Sequence, residues 1–66
     1  MKIYTTGQLS KLCRVSCRTV AKWIDSGKLK GYRLPCSMDR RVTEPNLVSF
    51  LAENGMPTIE EYEEED

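Results

Sequence analysis

Three helix-boundary signals fall within the first 27 residues of a 66-residue chain, and their spacing leaves little choice of local structure. Thr5 followed by Gln8 has the pattern of a capping box, in which two side chains satisfy orphan N–H groups at a helix start. Ser16 suits a second N-cap, and Gly27 stands where a left-handed residue closes a helix. These signals predict a first helix over about Thr6–Cys13 and a second from Cys17 to about Ser26, separated by Arg14-Val15-Ser16. At 100° per residue, Leu9, Leu12 and Cys13 gather on one side of the first helix, with Ser10 and Lys11 on the other. In the second, Cys17, Val20, Trp23 and Ile24 form an apolar arc, and Arg18, Thr19, Lys22 and Ser26 a basic one. Helical spacing makes Val20, Trp23 and Ile24 core residues. Val15 is placed to plug the gap between the helices.

At this length one domain is expected, with a thin core that contributes about 3–5 kcal/mol net. No apolar run approaches the roughly 20 residues of a membrane span, so no membrane partner is expected. The opening Met1-Lys2-Ile3-Tyr4-Thr5-Thr6 lacks the apolar segment of a signal peptide. There is no histidine, no Gly-rich phosphate loop and no room for a large pocket. No nucleophile, base or metal set stands out, so the chain reads as a non-enzyme with no cofactor.

The formal net charge is zero, but the charges are segregated. All ten Lys and Arg lie in residues 1–57, against only Asp25, Asp39, Glu44 and Glu53, which leaves a net +6. Residues 58–66 carry Glu60, Glu61, Glu63, Glu64, Glu65 and Asp66, a net −6. The division reads as a basic domain over 1–57 followed by an acidic, disordered, solubilising tail over 58–66. A basic part of this kind points to a polyanion partner.

Beyond the second helix, Gly31-Tyr32-Arg33-Leu34-Pro35 and Arg40-Arg41-Val42-Thr43 flank Cys36-Ser37-Met38-Asp39. Leu34 and Val42 alternate inward and Arg33, Arg41 and Thr43 outward, which predicts a small β-hairpin. Its tip would be ringed by Arg33, Arg40 and Arg41. Thr43 is placed to cap a third helix, with Glu44 and Pro45 in the first turn. Leu47, Val48, Phe50 and Leu51 supply its apolar stripe, and Asn54-Gly55 with Pro57 ends it. The order is helix, helix, hairpin, helix, and the first two helices have the spacing of a helix-turn-helix.

Four segments together carry a resemblance. Tyr4-Thr5-Thr6-Gly7-Gln8-Leu9, Arg18-Thr19-Val20-Ala21-Lys22-Trp23-Ile24, Gly27-Lys28-Leu29 and Asp39-Arg40-Arg41-Val42 resemble the small winged helix-turn-helix domains of the MerR superfamily, most of all its excisionase and BldC-like members. The resemblance covers about residues 3–57. It implies a mainly α, winged helix-turn-helix fold in a cytoplasmic, nucleoid-associated bacterial or phage protein that binds double-stranded DNA. The second helix would enter the major groove and the wing would lie on the adjacent minor groove or backbone. It further implies a transcriptional regulator or an excisionase-like architectural factor, the latter with head-to-tail self-association on DNA.

The residues agree with that mechanism. Ser16, Arg18 and Thr19 open the second helix and Lys22 follows one turn on. A helix start with hydroxyls can hold a phosphate, and Arg18 or Lys22 can reach a guanine edge. Arg33, Arg40 and Arg41 suit phosphates or a narrow minor groove. Lys28, Lys30 and Tyr32 lie on the approach to the wing. The reading from another class is a protein-interaction adaptor on the same scaffold, with Ile59 and Tyr62 anchoring the acidic tail to a protein partner.

The chain departs from the resemblance at two cysteines. Cys17 stands where proline is common and is expected simply to pack. Cys36 stands where glycine is common, which implies a positive φ that cysteine disfavours. Three cysteines without histidine do not make a zinc site, and free thiols are expected, with Cys13 buried. Cys36, on an exposed turn, is the one thiol placed for redox chemistry.

Overall fold

A computed structural model describes residues 2–36 and 39–64. Its elements run β1 (Ile3–Thr5), α1 (Thr6–Cys13), α2 (Cys17–Asp25), β2 (Tyr32–Arg33), β3 (Arg40–Thr43), α3 (Glu44–Glu53) and α4 (Ile59–Glu64). The expected helix, helix, hairpin, helix order is present, with one strand before it and one helix after it.

The boundary chemistry of the first two helices is the one the sequence announces. The Thr5 hydroxyl accepts from the Gln8 N–H at 3.1 Å, and the Thr5 N–H donates to Gln8 Oε1 at 2.9 Å. Arg14 closes α1 in the left-handed region, at φ 59°, and its N–H returns to the Ser10 carbonyl. It is the only non-glycine residue with positive φ among those described. Cys36 therefore does not take the conformation its position implied. Ser16 caps α2 by accepting from the Thr19 N–H at 3.2 Å. Gly27, at φ 82°, then reverses the chain, and the Leu29 N–H reaches back to the Trp23 carbonyl.

The three strands form an antiparallel sheet in the order β1-β3-β2. Tyr32 and Arg33 pair with Arg41 and Arg40, which makes the wing. Ile3, Tyr4 and Thr5 pair with Thr43, Val42 and Arg41. That second ladder explains a detail at α3: Thr43 stands at the N-cap but makes no side-chain cap bond. Its backbone belongs to the sheet, and the Glu44 N–H donates instead to the Lys2 carbonyl. Gly31 is required by close approach, since a Cβ there would lie 2.8 Å from the Arg41 carbonyl oxygen. The tip residues Ser37 and Met38, part of the expected turn, lie outside the described residues.

The core draws one fully buried side chain from each of four elements and one from a loop: Leu9 of α1, Val20 of α2, Leu29 of the connecting loop, Val42 of β3 and Leu47 of α3. Burying each such side chain contributes about 1.5–3 kcal/mol. Trp23 of α2 and Phe50 of α3 meet in a tilted arrangement, with ring centroids 5.0 Å apart and planes at 46°. Trp23, Ile24 and Val15 are half-buried against this core, as their spacing predicts. Val48 corrects the expected α3 stripe: it is 51% exposed, and the buried side chains are Leu47, Phe50 and Leu51. The i, i+3, i+4 set faces inward, and Val48 lies about 100° off it.

The acidic segment was expected to be disordered, and the structure corrects this. Residues 59–64 are helical. Thr58 and Glu61 form a second capping box: the Thr58 N–H donates to Glu61 Oε1 at 2.8 Å, and Thr58 Oγ1 accepts from the Glu61 N–H at 3.2 Å. Ile59 is 7% exposed and joins the core, and Tyr62, one turn on, packs half-buried against it. Ile59 and Tyr62, expected to anchor the tail to a protein partner, form an apolar pair at i, i+3 that packs on the chain's own core.

Candidate nucleic-acid interface

The ten residues singled out for nucleic-acid contact fall on three neighbouring stretches: α2, the loop after it, and the two strands of the wing. On α2, Arg18 and Lys22 are exposed, four residues apart and therefore on one face. Ser16 and Thr19 at its start are bound to each other. Their hydroxyls lie 3.0 Å apart, and Ser16 is also occupied as the cap. Lys28 and Lys30 are exposed and border a small recess of about 140 Å³ with Asn46, Ser49 and Glu53 of α3.

On the wing, Tyr32 is exposed at 43% and opposes Arg41. Arg33 and Arg40 form the ladder pair next to the turn, and Arg41 lies one residue further along β3. They stand on β2 and β3, and each has an acid beside it. Arg40 donates from Nε and Nη2 to the two carboxylate oxygens of Asp25, at 3.0 Å each. Arg33 donates from Nη2 to Asp25 Oδ1 at 3.1 Å. Arg41 lies 3.7 Å from Asp39. The Arg40 and Arg33 hydrogen bonds hold the Asp25 carboxyl below the usual carboxylate range. Asp25, which joins two of these arginines, is the residue that sequence reasoning missed, because it entered there only as a charge. The signal was an acid at the end of a basic helix, close in sequence to an arginine-rich hairpin.

The side-chain exposures separate the two wing arginines. Arg33 retains 54% exposure and Arg40 only 17%. With five N–H donors to a guanidinium, Arg33 keeps donors that Asp25 does not use. Arg40 is committed to the ion pair by both position and geometry. Thus α2 and both wing strands are fastened together at one carboxylate, and the exposed cations Arg18, Lys22 and Arg33 surround that junction in sequence.

The cysteines divide by burial. Cys13 is buried, and desolvation pushes its thiol pKa up, with a Tyr62 hydrogen bond acting the other way. Cys17, expected to pack, is exposed instead, and its Sγ donates to Ser10 Oγ at 3.4 Å. Cys36 is exposed, as expected. Among the described residues no group of His, Cys, Asp and Glu could hold a metal ion, and no helix is long and apolar enough to cross a membrane. A shallow cavity of about 440 Å³ opens between β1, α1 and α4, lined by Lys2, Leu12, Arg14 and Tyr62 among others, and none of the ten residues borders it.

A family model described as a helix-turn-helix domain matches residues 3–55, which span β1 through the end of α3. No curated protein and no solved structure matches the chain.

Proposed function

Because the chain belongs to the helix-turn-helix domain family, we propose that it binds double-stranded DNA through α2 and the wing, as a transcriptional regulator or an excisionase-like architectural factor. The observation that carries this reading is the junction itself. A helix with an exposed basic face, Arg18 and Lys22, is tied through Asp25 to a two-stranded wing bearing Arg33 and Arg41. In this reading α2 lies in the major groove. Arg18 and Lys22 meet base edges or phosphates there. Arg33, Arg41 and Tyr32 lie along the adjacent minor groove or backbone, with Lys28 and Lys30 on the flanking phosphates. Ser16 and Thr19, whose hydroxyls are mutually engaged, shape the helix start and contribute less directly. The protein works in the bacterial or phage cytoplasm on the nucleoid, and neighbouring copies associate head to tail on DNA.

The test is fluorescence anisotropy with a mixed-sequence duplex across a salt series. Each phosphate neutralised adds about 0.9 to the magnitude of the slope of log affinity against log salt. Binding that falls steeply with salt is expected. Absence of binding at low salt would overturn the DNA reading in favour of a protein-interaction adaptor, whose cations meet acidic side chains rather than phosphates.

A further inference from the structure

Arg33 and Arg40 are direct cross-strand partners. Like charges directly opposite one another destabilise a ladder. Both guanidinium groups converge on one carboxylate from a different element, Asp25, the last residue of α2. The ladder they belong to is very short: β2 has two residues and shares two pairs with β3. Backbone pairing alone is therefore a weak hinge for the outer strand of the wing.

We propose that Asp25 is a positioning residue for DNA binding: by neutralising the Arg33–Arg40 pair and tying both wing strands to the end of α2, it sets the angle between the wing and the helix. The inference rests on the DNA-binding reading and deepens it. Arg40 acts as the strut, gripped on two nitrogens and largely covered. Arg33 is the presented group, held by one hydrogen bond and still exposed. A planar guanidinium fixed at one nitrogen keeps its remaining donors in a known direction, which suits a phosphate.

Two effects of losing Asp25 have opposite signs, and this makes the inference testable. Removing an acid beside DNA relieves repulsion and by itself tightens binding. Releasing the wing removes an ordered phosphate contact and weakens it. With two ladder pairs and two opposed arginines left without a counter-ion, the second effect prevails.

The experiment compares the parent, Asp25→Asn, and the charge-reversed double variant D25R/R40D. In the double variant, position 40 carries the carboxylate that lies opposite Arg33 and faces the new cation at position 25. Affinity for a mixed-sequence duplex is measured across salt, and amide hydrogen exchange is measured on the free proteins. D25N is expected to bind about fivefold more weakly despite its extra positive charge, with a slope smaller by about 0.9, equivalent to one phosphate. Its wing amides, from Tyr32 to Leu34 and at Arg41, exchange faster while those of α1 and α3 do not. The double variant restores both readouts. Binding by D25N as tight as the parent's, or tighter, would overturn the inference, as would exchange that is unchanged in the wing or faster everywhere alike. If the parent itself fails to bind DNA at low salt, the DNA reading falls, and wing exchange alone then decides whether Asp25 fastens wing to helix.

Discussion

The two ends of the charge distribution are held in place by opposite kinds of force. At the α2–wing junction, three hydrogen bonds onto the exposed Asp25 carboxylate join the end of α2 to both wing strands. At α4, a helix dense in glutamate is fastened by Ile59 and Tyr62 against α1 and the core. Exposed ion pairs contribute about 0–1 kcal/mol and are screened by salt, whereas burying one isoleucine contributes about 1.5–3 kcal/mol. The junction thus rests on contacts that salt screens, whereas α4 rests on burial, which salt does not screen. The acidic region stays docked even though its charges do not help it.

The largest break in this comparison comes from Ile59→Ala. Truncation of a buried isoleucine costs about 2–5 kcal/mol, which is comparable to the whole stability of a domain this small. Urea unfolding should show a midpoint far below the parent's. A shift under about 0.5 kcal/mol would mean that α4 is not part of the folded unit. For the same reason, cutting the chain after Pro57 removes a core side chain along with the acids. Glutamate-to-glutamine changes at positions 60, 63 and 64 are the cleaner way to ask whether the charges matter.

Next in size is Arg18→Ala, on the presented face of α2. Loss of a base-reading arginine costs about 1–3 kcal/mol of binding and relaxes sequence preference. Arg41→Ala, on the wing, should instead weaken all sequences alike and lower the salt slope by about one phosphate. Unchanged affinity in both variants would sink the docking geometry.

A smaller effect follows from acid. The carboxyl pKa of Asp25 is lowered in the folded protein, first by Arg40 and then by Arg33. Its contribution is therefore fully present above the ordinary carboxylate range and disappears as pH falls from that range through the lowered folded value. Amide protection in β2 and β3 should decline across that window, ahead of protection in α1 and α3. Simultaneous loss everywhere would show that the junction has no independent stability.

The smallest effect separates the two regions by sign. Added salt screens the Asp25 pairs and loosens the wing. It also screens the mutual repulsion of Glu60, Glu61, Glu63 and Glu64 and firms α4. Residue-resolved hydrogen exchange between low and high salt should move wing and α4 amides in opposite directions. Movement in the same direction would show that one force holds both.

Much of this was legible in the chain because it is local. The Thr5–Gln8 capping box, the Ser16 cap and the Gly27 reversal are decided by side chains within a few residues of the backbone groups they serve. The 3.6-residue spacing of Val20, Trp23 and Ile24 carries its own burial pattern. The capping box at Thr58 was equally local, but was hidden by the composition of the acids around it. The remaining features are pairings over distance. Nothing in Ile3-Tyr4-Thr5 announces a strand until β3 lies beside it. Val48 and Leu47 are equally apolar, and only packing decides that one is exposed. Fifteen residues separate Asp25 from Arg40. Their pairing, and with it the division of the wing arginines into a strut and a presented group, exists only because α2 ends where the hairpin begins to pair. Local sequence set the helices and the sign of the charge. Tertiary contact decided which charges are free to meet a partner, since a side chain's availability depends on neighbours that its own segment does not contain.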